Sequence, residues 1–242
     1  MIDVLCPVLS RPQNVAPFCE SLARNTSVDF SLIFIASDED SEEIEAVKQS
    51  GARLLIDPLP MASRSQYPRK MNLGFRKTDR EFVFLGADDI EFQSGWDTEA
   101  LAVAGDDVGV TGLSDMANRH CIAGVWSTHP LVRRSYITVY GGSLDGPGTL
   151  ISEAYDHNYS ERELCHLAQH RGQWAFAPKA RIKHKHPMKG AVEKDEVYAK
   201  GFQNFGADGT LFLRRAARYW EGAGLLPQEN AVIRRMPRKS RS

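Results

Sequence analysis

Apolar and polar positions fall into alternating blocks along the first ninety residues. "IDVLCPVL" is a short apolar run of strand type. In "SRPQNVAPFCESLARN" Val15, Phe18, Cys19 and Leu22 recur at helical spacing, with Ser10 or Asn14 as the candidate cap. "FSLIFIAS" predicts a second buried strand. "DEDSEEIEAVKQSG" predicts an acidic helix start closed by Gly51. "ARLLIDP" predicts a third strand, "RKMNLGFRKT" a short helix and "EFVFLGADD" a fourth strand. Strands alternating with helices at this spacing predict βαβ units and a mainly parallel, Rossmann-like sheet flanked by helices, an α/β fold.

The pattern loosens after residue 93. "DVGVTGL" reads as a strand, and "HCIAGVWSTHPLVRRSYITVYGGSLDGPG" is rich in Gly, His and aromatics. "ERELCHLAQHRG" predicts a helix with Leu164, Leu167 and Ala168 inward. "QWAFAPKARIKHKHP" predicts a strand ending in His184 and His186, which share one face because side chains alternate. The absence of a repeat or a low-complexity linker predicts one domain, with the second half elaborating the first.

In parallel sheets ligands bind beyond the carboxyl ends of the strands. Pro7–Arg11, Ser37–Asp40 and the adjacent Asp88 and Asp89 all fall at such ends, so three polar clusters are expected on one edge. Two carboxylates at the mouth of a buried strand repel each other and are costly to desolvate, which a cation or ligand would relieve. There is no GxGxxG after the first strand, no GxxxxGK[ST] and no GxSxG, which disfavours a dinucleotide fold, a P-loop nucleotidase and a serine hydrolase.

Composition adds little until the charges are mapped. A hydrophobic share of 42% and a charged share of 25% are ordinary for a globular chain. No apolar run approaches a membrane span, and the N-terminus reads as a strand rather than a signal peptide. Four scattered cysteines without a CxxC pair predict reduced thiols and a cytoplasmic setting. The tail "RRMPRKSRS" (Arg234–Ser242) carries five of the 30 basic residues and none of the 31 acidic ones. Such a segment is a solubilising end or a reach for phosphates.

Six segments together resemble the family 2 glycosyltransferases of GT-A fold: "CPVLSRP", "IASDEDS", "KMNLG", "LGADDI", "YSERELC" and "HKHP", in that family's order across roughly residues 2–200. The likeness is greatest to a branch common in phage genomes, marked by "THPLVRRSYI", "GGSLDGPG" and "HPMKGAVEKDEVY". The resemblance implies a GT-A domain over residues 1–230, with a nucleotide-binding half (1–92), an acceptor-side half (93–230) and a basic tail (231–242). It implies a nucleotide-sugar substrate, commonly UDP-linked, a divalent metal (Mn2+ or Mg2+) and an inverting displacement. In the family's Asp-x-Asp motif Gly86 stands for the first Asp, leaving Asp88 and Asp89.

Asp88, Asp89 and His184 are the metal ligands that the resemblance implies, and hard cations with phosphates want such oxygen ligands. An imidazole tilts the set towards Mn2+. For the general base the place is Glu161, three before Leu164, with Asp156 the alternative and Glu163 a third carboxylate in the segment. Asp38 fits the position that holds the nucleotide base. Ser10 and Arg11 would approach ribose or phosphates, Lys70 would offset diphosphate charge, and Asn72 would hold backbone or nucleotide-sugar. A hydroxylated base in phage DNA is one acceptor, in the host cytoplasm; it would need an aromatic slot, for which Trp126, Tyr136 and Tyr140 are candidates. A glycan, a protein or a small molecule are the others. Two rival functions share the fold: a non-catalytic nucleotide- or nucleic-acid-binding module, and a nucleotidyltransferase.

Overall fold

A computed structural model describes residues 1–185, 199 and 203–220. The apolar runs become strands with nearly the expected bounds: β1 (Ile2–Pro7), β2 (Phe30–Ser37), β3 (Arg53–Asp57) and β4 (Phe82–Leu85). Helices α1 (Val15–Asn25), α2 (Ser41–Ser50) and α3 (Gln66–Arg76) alternate with them. Gly51 closes α2 in the left-handed region at φ 73°, where a side chain would be strained. Further along come β5 (Ile90–Phe92), α4 (Trp96–Val103), β6 (Val110–Asp115), α5 (Arg119–Ile122), β7 (Leu131–Arg133), α6 (Arg134–Tyr140), α7 (Ser160–His170), β8 (Trp174–His184) and α8 (Phe205–Trp220).

Eight strands form one sheet in the order β3-β2-β1-β4-β7-β6-β8-β5. Strands β1 to β4 pair parallel, β6 and β8 run with them, and β7 and β5 run against their neighbours. Alternation of side chains divides the core between the two faces. On β4, Phe82 and Phe84 join one cluster with Ile2, Val4, Phe18 and Trp96, whereas Val83 and Leu85 join the other with Leu5, Met71 and Leu164. Leu164, Leu167 and Ala168 of α7 are buried, as the periodicity predicts.

A break in β8 sets its far end. Ala177 pairs with Leu113 but Arg181 with Ser114, so residues 178–180 bulge out of the ladder. Pro178 in that bulge has no N–H to donate. Beyond it β8 pairs antiparallel with β5, which places His184 opposite Ile90.

Candidate functional site

The site is assembled at the carboxyl end of the parallel strands. Asp88 and Asp89 occupy the turn between β4 and β5, both more than nine-tenths buried. The register of β5 with β8 carries His184 to them: Nε2 lies 3.2 Å from each Asp89 oxygen, and the Lys185 amide donates to the Asp89 carbonyl at 2.9 Å. From the loop after β1, Arg11 Nη1 stands 3.4 Å from Asp88 Oδ1 and 3.8 Å from Asp89 Oδ2. Asn14 sits at the N-cap position of α1 yet makes no side-chain cap bond. Its amide donates instead to Asp88 Oδ2 at 3.1 Å. The alternative cap, Ser10, takes a left-handed φ of 52° outside any helix.

The Arg11 loop is itself anchored. The amides of Ser10 and Arg11 donate to Asp40 and Glu43 of the α2 start, each at 2.7 Å. The Lys70 ammonium, 1% exposed, donates to the Val8 carbonyl at 2.8 Å, and burial foremost lowers it to about 8.

Charge in this cluster does not balance. Burial, and then Asp89, push the Asp88 carboxyl up to about 7, although Arg11 and Asn14 pull the other way. For His184 burial opposes protonation, but Asp89 above all outweighs it and the imidazole is raised. A buried Asp88 carboxyl thus holds a proton that carboxylates ordinarily lose, the signature of a place short of positive charge. The three side chains suit a divalent ion in kind. As placed, however, no group of three or more His, Cys, Asp or Glu among the described residues is set to hold a metal by itself. A small hard cation at a phosphate site is commonly held by one or two carboxylates plus the substrate's phosphates, so an incomplete protein set still fits one.

Glu161 lies in the first turn of α7, half-buried and near enough for His184 to lower its carboxyl. Burial dominates and raises it to about 7. Ser160 Oγ bonds it at 3.1 Å. Beside it stands Tyr67 of α3, whose hydroxyl is buried and interacts with the Glu161 carboxyl. Burial first and then Glu161 raise that phenol.

Other predicted residues are placed differently. Asp156 accepts from the Ser65 amide at 2.9 Å and from the Asn204 side chain, which ties two loops together. Glu163 is enclosed by Arg215, Tyr155 and the Leu144 amide. Asn72 is spent on backbone: it accepts from Leu150 N at 2.9 Å and donates to Ile151 O at 2.8 Å. Asp38 is exposed just past β2, with its amide bonded to the Asp57 carbonyl at 3.2 Å. Of the candidate slot, Tyr136 and Tyr140 pair with each other over Arg171, while Trp126 lies beside Arg162. His186 and the basic tail lie outside the described residues.

Gly86 has a steric reason. A Cβ there would come within 2.8 Å of the Leu5 carbonyl oxygen, which accepts the Gly86 amide at 2.7 Å. The close approach of β1 and β4 excludes the aspartate of the usual motif.

Sequence reasoning missed Asn14 as a partner of Asp88, Tyr67 beside Glu161, and His129. His129 contacts His184 from the loop before β7, with Nε2 3.4 Å from His184 Nδ1. "THPLVRRSYI" had marked that loop as distinctive, but nothing in it said which side chain turns inward. Beside the acid pair, between α1 and β5, opens a cleft of about 500 Å³ lined by Asn14, Ser21, Arg24, Asp88, Glu91 and Lys185 among others, within the usual size of small-molecule sites. Among the described residues no helix is long and apolar enough to cross a membrane.

No protein-family model and no curated protein matches the sequence. Solved structures do match. A mannosyltransferase from Pyrobaculum calidifontis, in complex with GDP-Man and Mn2+, superposes with a TM-score of 0.61 at 11% identity, over 96% of this chain and 78% of that one. Glucosyl-3-phosphoglycerate synthase from Mycobacterium tuberculosis, in complex with Mn2+, UDP-glucose and phosphoglyceric acid, gives 0.59 at 12% identity, over 90% and 79%. The same synthase with UDP gives 0.60. Likeness of this extent at such low identity establishes architecture, and with the sheet order above it assigns the chain the GT-A fold.

Proposed function

We propose that this protein is a metal-dependent glycosyltransferase that moves a sugar from a nucleotide-sugar, UDP-linked in the first instance, to an acceptor hydroxyl with inversion. The observation that carries this reading is the buried, charge-deficient Asp88–Asp89 pair at the ligand-binding edge of a GT-A sheet, with the His184 imidazole against it. Asp88, Asp89 and His184 would hold Mn2+ or Mg2+, and phosphate oxygens would complete the shell. A bound ion would supply neutralisation of the charge that develops on the departing nucleoside diphosphate. The solved neighbours, which carry nucleotide-sugars or UDP with Mn2+, support that choice.

The rest is the work of the chain's own groups. Arg11, now within ion-pair range of both aspartates, is the nearest guanidinium for a diphosphate, and its planar fork suits phosphate oxygens. Ser10 and Arg11 are presented by a loop whose backbone Asp40, Glu43 and Lys70 pin, so phosphate contacts there need little reordering. Lys70 therefore serves the loop rather than the phosphates. Asp38, exposed at the β2 end, would meet the nucleotide base. Glu161 takes the acceptor proton: a carboxylate with a pKa near ambient pH is an effective general base. Asp156, already bonded to two loops, is the weaker candidate. In this reading residues 1–92 bind the nucleotide and residues 93–230 form the acceptor side. A hydroxylated base of phage DNA is the acceptor that the basic Arg234–Ser242 segment favours.

The test is a thermal-shift panel of UDP, GDP and their sugars, each with EDTA and with Mn2+. A ligand that binds the folded state raises the melting temperature by mass action. A clear shift is expected only when Mn2+ and nucleotide are present together. Equal shifts in EDTA and Mn2+ would remove the metal from the reading; no shift with any nucleotide would sink it.

A further inference from the structure

We infer that His129 is a positioning residue for His184, holding that imidazole with its proton on Nδ1 so that Nε2 is the nitrogen turned to Asp89 and to a metal. The inference deepens the metal-dependent reading above and rests on it.

Four groups in a line, from the Leu85 carbonyl to Asp89, share a fixed set of protons. His129 Nδ1 lies 2.9 Å from the carbonyl oxygen of Leu85. A carbonyl can only accept, so Nδ1 carries a proton. His129 is the neutral ring of the pair, because two imidazolium ions at a 3.4 Å nitrogen–nitrogen separation would repel, and it is His184 that has a carboxylate to support its charge. A neutral imidazole with Nδ1 protonated has its lone pair on Nε2. That lone pair faces His184 Nδ1 at 3.4 Å, so His184 Nδ1 donates. His184 Nε2, at the other end of the ring, faces Asp89 at 3.2 Å. Without metal it donates a proton there. When that proton leaves, the lone pair already points at the acid pair, and nothing changes at Nδ1. Metal-bound histidines commonly have their second nitrogen fixed by such a partner, which sets both tautomer and ring orientation.

The surroundings make the partner rigid. His129 is 3% exposed, and its neighbour Pro130 accepts the Leu85 amide at 3.2 Å. Leu85 is thus clamped to the His129 loop through both its N–H and its C=O. Leu85 also ends β4, three residues before Asp88, so the anchor of the relay leads directly into the turn that carries the metal carboxylates. The two rings meet edge to face at a 4.8 Å centroid distance and 81°. A flipped His184 ring would keep that packing but lose its nitrogen contacts with His129 and Asp89.

Two measurements test this. The first needs no variant and no metal: long-range proton–nitrogen NMR of the His184 side chain, at a pH high enough to leave it neutral. The Nδ1–H tautomer is expected, and the Nε2–H tautomer would overturn the inference. The second is Mn2+ affinity in the presence of UDP, read as free Mn2+ by electron paramagnetic resonance. His129→Phe should weaken Mn2+ binding by about 10–100-fold, the usual effect of losing a partner of a metal ligand. His129→Gln, whose side-chain oxygen can occupy the place of Nε2 as an acceptor, should return most of it. A merely structural role predicts a lower melting temperature in His129→Phe with Mn2+ affinity unchanged at temperatures where it is folded, and that result also overturns the inference. If the parent itself shows no Mn2+-linked UDP binding, the functional reading fails and takes the inference with it. If the parent binds and His129→Phe binds equally, the inference alone fails.

Discussion

Replacing Asp88 by Asn should stabilise the metal-free protein, and by an amount that depends on pH. In the folded chain burial and Asp89 hold the Asp88 carboxyl at about 7, against 3.8 ordinarily. Between those values the native state keeps a proton that the unfolded chain has lost, so stability falls as pH rises through this window and levels off above about 7. The interval is roughly 3 pH units at about 1.4 kcal/mol each, so ionisable Asp88 costs the metal-free fold on the order of 4 kcal/mol above neutrality. Asparagine removes that penalty. It keeps an acceptor for Asn14 but turns an amide N–H2 towards Arg11, so a gain of about 2 kcal/mol is the reasonable expectation. For a chain of this length that is a rise of roughly 4–8 °C in melting temperature. The assay is a pair of melting curves in EDTA, near pH 8 and near pH 4. The variant should melt higher near pH 8, and the difference should shrink towards pH 4, where the parent's Asp88 is protonated in the native state and increasingly so in the unfolded one. With Mn2+ and UDP added the order should reverse, because only the parent gains a ligand. A variant that is less stable than the parent in EDTA near pH 8 would refute the reasoning, since Asp88 would then be a stabilising anion rather than one awaiting a cation.

Glu161→Gln should retain Mn2+-linked UDP binding and lose transfer by about 10²–10⁴-fold, the usual contribution of a general base; parental transfer rates would move the base elsewhere. In the parent, transfer should rise with pH through about 7 as Glu161 loses its proton and then level off, and a profile flat from pH 5 to 8, on the order of the window a shifted carboxyl spans, would contradict that assignment. Gly86→Asp, which restores the usual acidic motif on paper, should lower stability by about 1–3 kcal/mol because its Cβ meets the Leu5 carbonyl at 2.8 Å; an unchanged melting temperature would show that β1 and β4 can part. Deleting Arg234–Ser242 should leave cleavage of the nucleotide-sugar unchanged and weaken DNA binding with a steep salt dependence, and equal DNA binding at low salt would remove the tail from acceptor recognition.

The nearest-neighbour content of this protein was open to reading from its residues. Blocks such as "FSLIFIAS" became β2 with those bounds, and the Leu164–Leu167–Ala168 periodicity placed the buried face of α7. Such elements are legible because burial acts on side-chain period, which is local. The polar ends of β1, β2 and β4 could likewise be named as one edge, because parallel strands put their carboxyl ends on the same side. What no local pattern could supply is the register of distant segments. His184 meets Asp89 because, beyond the bulge at Pro178, β8 runs against β5 while keeping β6 on its other side, bringing together residues 95 apart in sequence. Asn14 has the look of a helix cap and serves Asp88 instead; Lys70 has the look of a phosphate lysine and serves the Val8 carbonyl; Asn72 is absorbed by Leu150 and Ile151. A polar side chain can satisfy its hydrogen bonds with many partners, and which one it finds is decided by packing across the sheet, not by its neighbours in the chain. The same holds for charge: the pair at 88–89 is plain in the sequence, but the elevated proton affinity of Asp88 comes from burial foremost, reinforced by Asp89 and only partly offset by Arg11, and that burial exists only in the folded molecule.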